Sequence, residues 1–210
     1  MQIIEKYFPD LTDEQRQRFG ALDAIYRDWN AKVNLVSRKD IDHLYEHHVL
    51  HSLAIAKLLQ FKPGAEILDV GTGGGFPGIP LAILMPDVQF HLIDGMLKKV
   101  KVVQDVIEQL GLTNAKAQQV RAEELKNARY DFVVTRAVAE LNLLRQWTSQ
   151  RLLKPKESHP LPNGLIALKG GKIREEIKAL PKGEYVETTP VSDFFEEDYF
   201  KEKYLVYLQG

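Results

Sequence analysis

An apolar run of strand length, "EILDV" at residues 66–70, opens directly onto "GTGGGFPG" at 71–78, where five of eight positions are glycine. That junction limits the folds available. Glycine reaches φ > 0 and carries no Cβ, so a strand ending in such backbone builds a loop that a nucleotide-like ligand can approach closely. A turn that only links strand to helix is the plainer reading of the same residues. The rest of the chain after Pro63 bears on the choice. "VQFHLID", "KAQQV", "YDFVVT" and "LIALK" read as strands, separated by helical stretches at 98–110 and 141–153. Strict alternation predicts an α/β fold with a mostly parallel sheet and helices on both faces, and strands near "EYVETT" and "YLVYLQ" bring the count to seven. Ligands in such sheets sit beyond the C-terminal strand ends, where the glycine loop falls.

Before Pro63 the texture is helical. Thr12 and Gln15 have capping-box spacing, and Phe19, Leu22, Ile25, Tyr26 and Trp29 recur at helical intervals, predicting a helix over 12–32. A second is predicted over 41–59, ended by "FKPGAE". The expected division is an N-terminal helical extension, 1–63, and a ligand-binding domain, 64–210. With 210 residues, 44% of them hydrophobic, the chain can bury one full core. The opening "MQIIEKYFPD" has an acid at Glu5 and a Pro-Asp break, which fits neither a signal peptide nor a membrane anchor, so a cytoplasmic location is expected.

Two acids speak to the ligand. The spacing Gly73, Gly75, Gly78 matches the dinucleotide fingerprint, but the fingerprint's helix should begin there, and Pro80 is expected to disfavour it. A carboxylate at Asp69 would repel a pyrophosphate, whereas a sulfonium cofactor carries a cationic aminoacyl end, so Asp69 favours S-adenosylmethionine. Asp94 closes the second predicted strand, the position from which an acid holds ribose hydroxyls; its plainer alternative is a helix N-cap.

The motifs, in order, resemble one family. "WNAKVNLVS" at 29–37, "DVGTGGGFPGIPL" at 69–81, "RAEEL" at 121–125, "TRAVA" at 135–139 and "ALKG" at 167–170 are similar to those of the small-subunit ribosomal RNA methyltransferase G family, also called glucose-inhibited division protein B. The similarity covers nearly the whole chain. It implies a class I, Rossmann-like S-adenosylmethionine-dependent methyltransferase domain over 64–210. The implied activity is methyl transfer to N7 of a guanine in the decoding-region loop of 16S rRNA, the 530-loop. It also implies that Gly71 and Phe76 line the cofactor, that Ala122 and Glu123 bracket the adenine, and that Arg136 contacts the cofactor from the fourth strand's end. Gly73 belongs to the same loop. The implied partner is 16S rRNA or the small ribosomal subunit, with no DNA and no membrane, and a monomer is expected.

The chemistry the chain lacks points the same way. Amino-directed adenine methyltransferases place Asn or Asp, two prolines and an aromatic after the fourth strand; here stand Thr135, Arg136 and Ala137. The usual covalent route to pyrimidine C5 needs a cysteine nucleophile, and the chain has no cysteine, which also excludes disulfides and thiolate metal sites. Guanine N7 has an in-plane lone pair and no proton to remove, so it asks only for alignment and electrostatics. No catalytic side chain is assigned. An NAD-dependent oxidoreductase and a non-catalytic RNA-binding module with a vestigial pocket are the competing readings.

His43, His47 and His51 lie four apart on the second predicted helix and would share one face; a metal there is not expected, since no HExxH motif or carboxylate constellation accompanies them. His48 matches the family's histidine, whereas His51 stands where the family usually has Asp. The formal charge of -1 means that any RNA contact is a local patch. Candidates are Lys98, Lys99 and Lys101, and Lys169, Lys172 and Arg174, with His48 and Lys169 as the substrate-binding candidates. The stretch 154–164 exceeds the family's usual turn.

Overall fold

The computed structural model describes every residue except 34, 36, 38, 39, 126, 127, 154–158 and 172. Two short helices and a long one open the chain: α1 (Gln2–Tyr7), α2 (Asp13–Lys32) and, after an irregular segment, α3 (His51–Leu58). The capping box that starts α2 is formed on both sides, Gln15 N–H donating to Thr12 Oγ1 and Thr12 N–H to Gln15 Oε1. The same Gln15 amide donates to the carbonyls of Ile83 and Leu84, and Arg18 donates to those of Leu110 and Gly111. The helix that the apolar stripe Phe19, Leu22, Ile25 and Tyr26 buries is therefore also tied at its polar edge.

The sheet follows: β1 (Glu66–Val70), α4 (Gly78–Leu84), β2 (Gln89–Asp94), α5 (Leu97–Gln109), β3 (Ala115–Gln119), β4 (Phe132–Arg136), α6 (Leu141–Thr148), β5 (Gly164–Gly170), α7 (Ile173–Lys178), β6 (Val186–Pro190) and β7 (Lys203–Gln209). Seven strands stand in the order β3-β2-β1-β4-β5-β7-β6, all parallel except β7, which runs antiparallel to both its neighbours. Strand residues alternate between two buried layers. Ile67, Phe90, Leu92, Phe132, Val134 and Ile166 join α1 to α5 on one face; Leu68, Ile93, Val133, Leu165 and Ala167 join α6 and α7 on the other. The expected helices on both faces are present, and the extension shares the core of the first. The chain leaves β1 toward β2 and β4 toward β5, so these adjacent strands are connected in opposite directions, which opens a crevice beyond their C-terminal ends.

Three local expectations are corrected. The segment 41–59 is not one α-helix but a 3-10 turn (Ile41–His43), a π-helix (Leu44–Leu50) and then α3. The widened turns change which side chains share a face. Pro80 does not disfavour a helix after the glycine loop: α4 begins at Gly78, so Pro80 lies in the first turn, where backbone N–H groups have no intrahelical partner to lose. The helix predicted over 141–153 stops at Thr148 and tightens into a 3-10 turn (Ser149–Arg151). Helices α1 and α7 carry too few residues for periodicity to announce them.

Candidate functional site

A cleft of about 650 Å³ opens over the C-terminal ends of β1, β2 and β4. Its floor is the loop 71–76, held from below and from the side. Below lies Asp69, 0% exposed, whose Oδ2 accepts from Thr72 Oγ1 at 2.6 Å and from the Gly78 N–H at 2.8 Å. Burial raises its carboxyl to about 7, against the lowering effect of those two donors. From the side, Asp94 Oδ2 accepts from the Gly73 N–H at 3.0 Å and Oδ1 from the Met96 N–H at 2.9 Å. Met96, not Asp94, stands at the cap of α5. Asp94 thus ties the glycine loop to the turn after β2 while lining the cleft.

Gly71 sits at φ +67, and a Cβ there would stand 2.6 Å from Val138. Gly78 is needed for packing: a Cβ would lie 2.6 Å from Leu92 and 2.7 Å from Asp69 Oδ2. Across the cleft, β4 delivers Arg136. Its guanidinium lies 5.1 Å from the centre of the Phe76 ring, and it donates to the His47 carbonyl at 3.1 Å and to His48 Nδ1 at 2.9 Å. Phe76 is buried among Tyr26, His48 and Arg136, and the Tyr26 hydroxyl donates to the Gly74 carbonyl at 2.6 Å. The next residue, Ala137, also lines the cleft and has φ +51, a conformation that costs an L-residue roughly 1–2 kcal/mol.

The extension closes the remaining side. Asp40 accepts from His47 Nδ1 at 2.6 Å and from His48 Nε2 at 2.5 Å. Since Nδ1 of His48 accepts from Arg136, its proton is on Nε2. Burial and the Arg136 charge push His48 down to about 4, so its ring is neutral at pH 7. Burial would raise the Asp40 carboxyl, but its two imidazole partners outweigh that and hold it below its ordinary value.

The structure therefore brings Gly71, Gly73, Phe76, Asp94, Ala122, Glu123, Arg136 and His48 onto one cleft. Ala122 is buried and Glu123 exposed on a 3-10 turn (Ala122–Glu124), whose carbonyls at 122 and 123 accept from Arg151. Two candidates are placed differently. Asp69 braces the loop from beneath and does not line the cleft, so it is no direct partner for a cationic ligand end. Lys169 is 9% exposed; its Nζ donates to the Ala139 carbonyl at 2.8 Å and pairs with Glu176 at 2.7 Å. Glu176 also accepts from the Leu141 N–H, so this pair anchors the turn into α6 and is spent away from the cleft. Lys99 does line the cleft, 3.9 Å from Asp94, while Lys98, Lys101 and Arg174 are exposed; Lys172 and part of the stretch 154–164 lie outside the described residues, as do 34 and 36 of the first motif.

The three spaced histidines do not form one face. His43 and His47 stack at 4.6 Å, and His47 stacks on Tyr199 at 3.8 Å, but His51 turns inward against Tyr199 and Phe200 with neither ring nitrogen bonded. Among the described residues the one group spaced to hold a cation is His43, Glu46 and His47. Asp40 and Trp147 line the cleft without any mark in the sequence, and Leu35 and Val138 line it from within the motifs at 29–37 and 135–139. A smaller cleft of about 460 Å³, lined by Tyr7, Lys57, Phe61 and Met85 among others, lies between the extension and the end of α4, away from these groups.

The family model for GidB, described as rRNA small subunit methyltransferase G, matches residues 15–197. A ribosomal RNA small subunit methyltransferase G from Bacteroides thetaiotaomicron is 52% identical over 209 residues, covering 100% of each chain. One from Flavobacterium psychrophilum is 51% identical over 208 residues, covering 99% of this chain and 97% of its own. Among solved structures, an S-adenosylmethionine-dependent methyltransferase from Aquifex aeolicus superposes with TM-score 0.58 at 19% identity, covering 82% of this chain and 98% of the other, a likeness of fold.

Proposed function

This chain belongs to the rRNA small subunit methyltransferase G family, and from that premise we propose that it methylates N7 of a guanine in the decoding-region loop of 16S rRNA. It is a class I methyltransferase whose cofactor is S-adenosylmethionine. The cleft fits that cofactor in size, since ligand sites of this kind span roughly 300–1,000 Å³. In our reading Asp94 receives the ribose hydroxyls, and Ala122 and Met96 flank the adenine beside Glu123. Arg136 meets the methionine carboxylate with the N–H donors that His47 and His48 leave free. The bare backbone at Gly71 and Gly73 allows the approach. The cofactor supplies an electrophilic methyl on a sulfonium; the chain aligns the acceptor with it and excludes water.

The observation that carries N7 is the state of His48. It is the imidazole that lines the cleft, both its nitrogens are engaged, and it is held neutral with its acceptor nitrogen facing Arg136. A general base needs a free lone pair within reach of the proton it removes, and His48 has none. An acceptor with no proton to lose asks nothing of this histidine beyond its hold on Arg136. The exposed Lys98 and Lys101, with Lys99 at the cleft, are proposed phosphate contacts. Among the described residues no helix is long and apolar enough to cross a membrane. We place the protein in the bacterial cytoplasm with its RNA, as a monomer with residues 1–63 as an extension of the methyltransferase domain. The test is tritiated-methyl transfer onto small subunits from an unmodified strain, followed by nucleoside mapping. Label in 7-methylguanosine is expected; label in another nucleoside, or none with the cofactor bound, refutes the proposal.

A further inference from the structure

We infer that Asp40, on the irregular segment before the π-helix, is a positioning residue: acting through His48, it sets the guanidinium of Arg136 at the methionine end of the cleft. The inference rests on the proposed placement of S-adenosylmethionine. Its basis is a chain of hydrogen bonds in which each group has one assigned role. Asp40 Oδ2 accepts from His48 Nε2 at 2.5 Å, which leaves Nδ1 of the same ring as an acceptor for Arg136 Nη2 at 2.9 Å. Asp40 Oδ1 meanwhile accepts from His47 Nδ1 at 2.6 Å, and the His47 carbonyl accepts from Arg136 Nη1 at 3.1 Å. One carboxylate thus orients two consecutive residues that together hold both terminal nitrogens of one arginine.

The backbone explains how neighbours manage this. His47 and His48 lie in the π-helical stretch, a rare conformation that recurs at functional sites, and not in the α-helix their spacing suggests. His47 is further clamped between the rings of His43 and Tyr199, so its carbonyl is fixed as well. Arg136 is also constrained over Phe76, and with the two histidine bonds its plane is determined. A guanidinium fork recognises a carboxylate only when that plane is set. Were the proton to move to Nδ1 of His48, it would face a donor, and the arginine would have to leave. Asp40 prevents this by accepting at Nε2. The carboxylate itself lines the cleft. A segment before residue 63 therefore shapes the binding end of a site whose glycine loop, Asp94 and Arg136 lie at strand ends of the sheet.

The experiment uses the full chain and S-adenosylmethionine as probe, in calorimetry, with ring-nitrogen NMR of His48. In the parent, His48 should show the Nε2–H tautomer. Asp40→Ala should lose that signature and weaken binding about tenfold, the loss of one charged hydrogen bond's positioning. His48→Ala should cost a similar factor, and the double variant about tenfold again, not a hundredfold, because both changes break one chain. His48→Gln, which can still donate to Asp40 and accept from Arg136, should recover most of the affinity. Multiplicative losses, unchanged affinity in Asp40→Ala, or lower thermal stability with the tautomer and affinity retained would each overturn the inference. A parent chain that does not bind the probe would instead overturn the cofactor placement on which it rests.

Discussion

Asp69 offers a test of how the glycine loop is held. Its carboxyl is fully buried, accepts two hydrogen bonds through Oδ2, and has no partner at Oδ1. Burial raises it from 3.8 to about 7, so between these values the folded chain holds a proton that the unfolded chain has shed. A raised folded value means the stabilisation is complete below about pH 4 and is lost as pH climbs through about 7. The slope cannot exceed about 1.4 kcal/mol per pH unit for one proton. Integrated from pH 5 to 7 that comes to about 2 kcal/mol, levelling off above about pH 8. Asp69→Asn keeps an acceptor for Thr72 and Gly78 but cannot titrate. Urea unfolding of parent and variant across this range should therefore give a stability difference that shifts toward the variant by about 2 kcal/mol as pH rises from 5 to 7, other groups cancelling between the two. Curves that stay parallel, or diverge with the opposite sign, would refute the account of a carboxyl buried under the loop.

Three further outcomes are expected. Asp94→Ala removes the acceptor for the Gly73 and Met96 amides and, on the proposed placement, the one for the ribose, and should weaken S-adenosylmethionine by about 1.5–3 kcal/mol in calorimetry; a dissociation constant within about threefold of the parent would exclude the role. Gly71→Ala should destabilise by roughly 1–2 kcal/mol from its positive φ alone, and adding Val138→Ala should recover only the steric part of any excess, read by denaturant midpoints. With His48 already neutral and engaged, single-turnover methylation should stay nearly flat from about pH 6.5 to 9, between histidine titration and guanine's own deprotonation; a tenfold rise per pH unit would mean that a base is at work and N7 is the wrong acceptor.

What the sequence determined by itself was whatever depends on near neighbours in the chain. The apolar runs ending in glycine, the capping box of Thr12 with Gln15 and the alternation of strand and helix are local patterns, so seven strands, the helix α2 and the loop at 71–78 were legible. So was the place of Asp94 at the cleft, because an acid at a strand end beside a glycine loop has few other places to go. Tertiary structure alone decided the direction in which charges face. Asp69 and Lys169 look equally available in the sequence, yet one is sealed beneath α4 and the other is spent on Glu176 and the Ala139 carbonyl, since each is surrounded by groups far along the chain. The histidines show the same limit: an interval of four predicts one face only if the helix is regular, and here the segment is a π-helix whose histidines meet Tyr199, Phe200 and Arg136 from far along the chain. Asp40 carried no signal at all. Its partners His47 and His48 sit seven and eight residues away, but their common target, Arg136, lies on a strand that only the folded sheet brings within reach.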